Sequence, residues 1–191
     1  MMDNHVGQKL INIVVTGTPG VGKTSFSALL ADRLNDYLLQ NQQSTYHFTC
    51  YNLGKLINEK QLYKDWNKEF DVPEFDEDMV CDELEPSVNE GGVIIDFHSP
   101  GFLPEEWVDL VVLLRCNNTI LYDRLKARGY VEKKITENID CEIMEVTADE
   151  VKEAFKAEKI LELKSEVTED MEANLETVVN AIEKIGLFKT N

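Results

Sequence analysis

Apolar and polar positions alternate along this chain between two patterns, one with a period near two and one with a period near four. The run Leu10–Thr16 is almost continuously apolar and β-branched, which predicts a strand. Beyond a glycine-rich stretch, Phe26, Leu29, Leu30 and Leu34 recur at helical spacing and predict an amphipathic helix to about Gln40. His47–Tyr51 predicts a second strand, and Asn52 stands where it can cap a short helix carrying Leu53, Leu56 and Ile57. From Leu62 to Phe75 aromatics and charges mix without a clean period, which suits a loop packed on the body or a flap over a ligand. Asp76 is placed to cap a helix through Met79, Val80, Leu84 and Val88 that ends at Gly91-Gly92.

Val93-Ile94-Ile95-Asp96 and Leu110–Leu114, the latter closing on Arg115, are unbroken apolar runs of the kind that strands buried on both faces require. Asn117–Arg128 predicts a helix broken by Gly129, and a single long helix is expected from about Glu137 to Lys156. Ile160–Leu163 reads as a last short strand. Glu169–Ile185 reads as a closing helix, with Met171, Leu175, Val178, Val179 and Ile182 on one stripe. Strands alternating with helices predict an α/β fold in one domain over 1–191: three layers, with a central parallel sheet of five strands covered by helices on both faces.

Length and charge narrow the function. A chain of 191 residues can bury about 70% of its unfolded surface. Its apolar runs fall short of the ~20 residues of a membrane helix, and no signal-peptide pattern opens it, so a soluble, intracellular protein is expected. Cys50, Cys81, Cys116 and Cys141 are widely spaced, as free thiols in a reducing compartment would be. The net charge of −17 argues against coating or sequence-specific reading of nucleic acid and admits a strongly basic protein partner. An anionic ligand is still allowed, because screening over about 8 Å lets a few local cations outweigh distant carboxylates.

The chemistry begins with Gly17-Thr18-Pro19-Gly20-Val21-Gly22-Lys23-Thr24, set between the first strand and the first helix. Glycines at 17, 20 and 22 allow backbone N–H groups to turn inward around phosphate oxygens, and the following helix adds its N-terminal donors. Lys23 is placed to bridge the β- and γ-phosphates, and the Thr24 hydroxyl to ligate the accompanying Mg²⁺. In a parallel sheet ligands bind beyond the carboxyl ends of the strands, where Asp96 and Arg115 also fall. Asp96 suits a carboxylate that holds Mg²⁺ or its water. His98 lies two residues on, able to orient a water or a neighbouring carboxylate, or to serve packing alone. Arg124 and Arg128 share a helical face; with Gly129 and Lys133-Lys134 they form either a cationic flap over a triphosphate or a solvated face paired with Asp123 and Glu132. An Asn-Lys-x-Asp guanine-reading motif does not occur, which disfavours a GTPase.

Five stretches together resemble the adenylate kinase isoenzyme 6 family. They are the glycine loop, Val93-Ile94-Ile95-Asp96-Phe97-His98, Phe102-Leu103-Pro104-Glu105-Glu106-Trp107, Leu121-Tyr122-x-Arg124-Leu125-x-x-Arg128-Gly129-Tyr130, and Asn138-Ile139-x-Cys141-Glu142-Ile143. The resemblance covers about Ile13 to Ile182. It implies a nucleoside-monophosphate-kinase fold of the phosphate-loop type, a monophosphate-binding flap over about 52–75, and a short lid over about 127–137 without zinc. ATP would bind at Gly17 and Gly20, Val21, Gly22, Lys23, Thr24 and Ser25, with Arg128 reaching it from the lid. The monophosphate would meet Asn52, Gly54, Lys55, Asn58 and Arg115. Catalysis would fall to Lys23, Asp96, His98, Arg124 and Arg128, with Mg²⁺ on Thr24 and Asp96. The implied activities are ATP + AMP to 2 ADP and ATP hydrolysis. The implied setting is maturation of the small ribosomal subunit and its 18S rRNA, in nucleus and cytoplasm, with a basic small-subunit ribosomal protein and pre-40S particles as partners; a monomer is expected. Two positions depart from the family pattern: Asn58 stands where a flap cation is frequent, and Glu106 where some members carry arginine.

Overall fold

The computed structural model describes residues 8–67 and 72–189. Its centre is a parallel sheet in the order β2-β5-β1-β6-β7, formed by β1 (Ile13–Thr16), β2 (Thr49–Asn52), β5 (Val93–Asp96), β6 (Leu110–Arg115) and β7 (Ile160–Lys164). Every pairing in it is parallel. The middle strands β1 and β5 are buried along their whole length, which is why they carry no alternation of polar residues.

Each face of the sheet has its own apolar layer. Ile13, Val15, Ile94, Val112 and Leu114 pack against Phe26, Leu30 and Leu34 of α1 (Lys23–Gln40) and Leu175, Val178 and Ile182 of α7 (Thr168–Ile185). Val14, Ile95 and Val111 pack against Leu53 and Ile57 of α2 (Leu53–Lys60) and Val80, Leu84 and Val88 of α3 (Glu77–Glu90). These are the three layers that the sequence predicts.

Four local features differ from the sequence-based expectations. First, β1 begins at Ile13 and not at Leu10, because Asn12 is buried and spends its side chain on Val88, Trp107 and Val93, while Leu10 bridges to Phe188 instead. Second, β2 ends at Asn52; the register sets Asn52 opposite Asp96. Third, the segment after Leu62 contains an antiparallel pair, β3 (Tyr63–Asn67) and β4 (Val72–Phe75), with part of the expected flap (68–71) outside the described residues. Phe75 anchors the pair on Phe97 and Phe102, with ring centroids 5.3 Å away in each case.

The fourth is the largest. The long helix expected over about Glu137 to Lys156 is two helices, α5 (Glu132–Ile143) and α6 (Val146–Ala154), separated by Glu145 in a left-handed conformation (φ 56°). The reason lies in the packing: Ile135 and Ile139 of α5 belong to one apolar layer, and Val151 and Ala154 of α6 to the other. A straight helix could not serve both faces, so the chain turns. Upstream of it, α4 (Asn118–Ala127) is capped by the Asn117 side chain and followed by Gly129 at φ 77°.

Candidate active site

The glycine loop leaves β1 hard against the end of β6. A Cβ on Gly17 would stand 2.3 Å from the Leu114 carbonyl oxygen, and one on Gly20 would stand 2.7 Å from a Leu121 methyl carbon, so both positions are closed to larger residues. Gly22, at φ 104°, turns the chain into α1, whose N-terminus has no side-chain cap. Those amides therefore remain open to an anion.

A cleft of about 210 Å³ sits over this turn. It is lined by Pro19, Gly20, Gly22, Lys23, Thr24, Ser25, Asn52, Gly54, Asp96, Phe97, His98 and Arg128. The Lys23 ammonium donates to the Gly17 carbonyl at 2.7 Å and to the Thr18 carbonyl at 3.2 Å. Burial pushes it down to about 8, partly offset by the charge of Asp96. Across the cleft, the Thr24 hydroxyl donates to Asp96 Oδ2 at 2.6 Å, and the Asn52 amide donates to the same oxygen at 2.5 Å. The other end of Asn52, Oδ1, accepts from the Lys55 N–H and so caps α2. His98 keeps part of its ring exposed, and desolvation of the rest, with a smaller contribution from Lys23, lowers it to about 4. Its ring lies 4.6 Å from that of Phe97.

Several residues nominated from the sequence do not line the cleft. Arg115 is the clearest case. Its guanidinium pairs with Glu142 at 2.8 Å and with Glu145 and Glu162 at 3.2 Å each, beside a separate hollow of about 600 Å³ that no glycine-loop residue lines. Three carboxylates thus hold it outside the cleft over the glycine loop. Arg124 is likewise turned away; it donates to the Ser165 and Glu166 carbonyls at 2.8 Å each and lies behind the loop. Val21 is buried, and its carbonyl accepts from Ser165 Oγ at 2.7 Å. Lys55 leans on Glu59 at 3.6 Å, and the Asn58 amide donates to the Gly54 carbonyl of its own helix. Arg128 does reach the cleft, from the exposed end of α4.

Sequence reasoning misses Glu142. It is buried, and its carboxylate accepts from the Thr18 hydroxyl at 2.5 Å, from Arg115 Nε at 2.8 Å and from the Cys116 N–H at 3.2 Å. The glycine loop is therefore held from behind by a carboxylate 124 residues further along, whose one mark in the sequence is its place in the Asn138–Ile143 stretch of the family resemblance.

A strand, a glycine-rich anion loop, a helix and an acidic strand end on a five-stranded parallel sheet define the fold of the phosphate-loop kinases. The fold has solved counterparts of that class. A shikimate kinase from Bacteroides thetaiotaomicron superimposes with TM-score 0.59 at 18% identity, over 91% of this chain and 99% of that one. A gluconokinase from Sinorhizobium meliloti 1021 gives 0.53 at 13%, over 92% and 97%. A family model described as an AAA domain matches residues 13–145. Curated relatives are nearer in sequence. The adenylate kinase isoenzyme 6 homolog of Dictyostelium discoideum is 41% identical over 85% of this chain and 86% of its own length. The homolog HBR1 of Candida albicans is 40% identical over 90% and 68%, and the homolog FAP7 of Saccharomyces cerevisiae 39% over 92% and 83%. The chain belongs to the adenylate kinase isoenzyme 6 family.

Proposed function

We propose that this chain is a Mg-ATP-dependent nucleoside monophosphate kinase, converting ATP and AMP to two ADP, that also hydrolyses ATP when water is the acceptor. The observation that carries the reading is the meeting of Lys23, Thr24, Asp96, His98 and Arg128 around one cleft at the uncapped start of α1. Phosphoryl transfer asks for little covalent chemistry and much charge neutralisation, which these groups supply. Glycine-loop amides and Lys23 would bind the β- and γ-phosphates, Arg128 would close on the moving group, and neutral His98 would orient the acceptor.

The residues present fit Mg²⁺. Thr24 Oγ1 and Asp96 Oδ2, 2.6 Å apart at the cleft wall, are the hard oxygen donors it takes when substrate phosphates and water complete its shell. Bound there, the ion would neutralise developing charge on the phosphates.

A second reading has its own support. Among the described residues of the proposed flap, Lys55, Lys60 and Lys64 are each paired, with Glu59, Glu83 and Asp76. An AMP phosphate would have to displace such a partner. This favours an ATPase that serves as an assembly factor with little monophosphate turnover. In either case we place it in small-subunit ribosome maturation, in nucleus and cytoplasm, as a monomer; the net charge of −17 supports a basic ribosomal protein as partner.

Titrating AMP into purified protein with Mg-ATP separates the two readings. The kinase reading expects ADP formation to rise severalfold with AMP; a flat response over a wide range leaves the ATPase reading standing. A pH series tests the site itself. Since Lys23 loses its proton above about 8 in the free protein, and phosphate favours the protonated form, ATP affinity should be steady below pH 7. Above pH 8 it should weaken toward about tenfold per unit. Affinity unchanged to pH 9.5 would contradict the role given to Lys23.

A further inference from the structure

Past His98 the chain turns through Ser99, Pro100 and Gly101, and one carboxylate from α6 holds that turn. Glu150 Oε1 accepts from the Ser99 hydroxyl at 2.8 Å and from the Gly101 N–H at 2.7 Å, and Oε2 stands 3.0 Å from the same hydroxyl. The fit is close: a Cβ on Gly101 would lie 2.8 Å from both Cγ and Oε1 of Glu150. The apolar flanks of the turn, Phe97 and Leu103, are buried in the same layer as Val151 and Phe155. The turn is thus anchored at its ends by packing and in its middle by Glu150. Glu150 itself does not line the cleft, whereas His98 does.

We propose that Glu150 is a positioning residue for phosphoryl transfer: by gripping Ser99 and Gly101 it fixes where the His98 imidazole stands over the cleft. The inference rests on the reading of the cleft given above. It assigns Glu150 an effect on turnover through His98, with little effect on nucleotide affinity, because the glycine loop and Lys23 are held by other contacts. A displacement of about 1 Å in a group that orients an acceptor can cost up to 10²-fold in rate.

The two donors converge on one oxygen, so an amide can replace the carboxylate. Glu150→Ala should lower kcat for ADP formation about tenfold or more while the Mg-ATP dissociation constant stays within about twofold. Glu150→Gln should restore kcat to within about threefold of the parent. In a His98→Ala background, which alone should lower kcat by about 10²-fold, Glu150→Ala should add less than a twofold change, since both act through one imidazole. Thermal unfolding is followed for each variant, and Ser99→Ala, which removes only the hydroxyl, replaces Glu150→Ala if the latter does not fold. Equal losses from Glu150→Ala with and without His98, or a loss confined to affinity, overturn the positioning role alone. Undiminished turnover in His98→Ala overturns the reading of His98 and this inference with it.

Discussion

Lys23→Met should leave a folded protein that turns over ATP at least about 10³-fold more slowly, with or without AMP. Methionine keeps nearly the length of the side chain and discards the charge. What is lost is the ammonium that now rests on the Gly17 and Thr18 carbonyls beside the charge of Asp96. Relief from desolvating a partly buried cation offsets the two hydrogen bonds given up, so the variant should melt within about 5 °C of the parent. This separation makes the experiment decisive. Initial rates of ADP formation, calorimetry with Mg-ATP and a melting curve on the same preparation suffice. Turnover within tenfold of the parent would remove Lys23 from the chemistry and, with it, the phosphate-loop reading of the cleft.

Arg128→Ala should have the next largest effect, but of a different kind. Arg128 caps α4 at its exposed end; the next residue, Gly129, has φ 77° and nothing within 4 Å of where a Cβ would be. From that exposed end the Arg128 side chain lines the cleft, in place to meet a bound triphosphate. An arginine that meets the moving phosphoryl group chiefly in the transition state is worth about 10³-fold or more in rate. The expectation is therefore a fall in kcat of that order, with ATP affinity reduced only a few fold. Arg128→Lys should recover little, because an ammonium lacks the planar fork that meets two oxygens at once. If affinity and rate fall equally, Arg128 binds the ground state, and the lid assignment is wrong.

The parts of this molecule that could be read from the sequence are those set by local pattern. The apolar run before Gly17, the glycine spacing and the helical repeat after Lys23 each depend on residues a few positions apart, and β5 and β6 declare themselves by lacking polar alternation. Asp96 and Arg128 could be nominated because a strand end and a helix end are both local marks. The placements that the sequence does not reveal are of one physical kind. Arg115 also ends a strand, yet its fate is decided by Glu142, Glu145 and Glu162, which lie 27, 30 and 47 residues away. Arg124 is claimed by carbonyls more than forty residues on. The break between α5 and α6 carries no glycine or proline; Glu145 adopts the left-handed conformation because two apolar layers on opposite faces of the sheet each require part of the helix. Such partners become visible only once the chain is folded.

Asn52 illustrates how closely the halves of the cleft are tied. Its amide grips Asp96 while its oxygen secures the first turn of α2. Asp96 Oδ2 is shared by that amide and the Thr24 hydroxyl, so a cation drawing on it weakens the hold on Asn52 as well, and a rotated Asn52 would release a helix terminus whose capping contributes about 1 kcal/mol. Loading one wall of the cleft would thus be felt as slack in the other, so the two sides cannot be retuned independently by mutation.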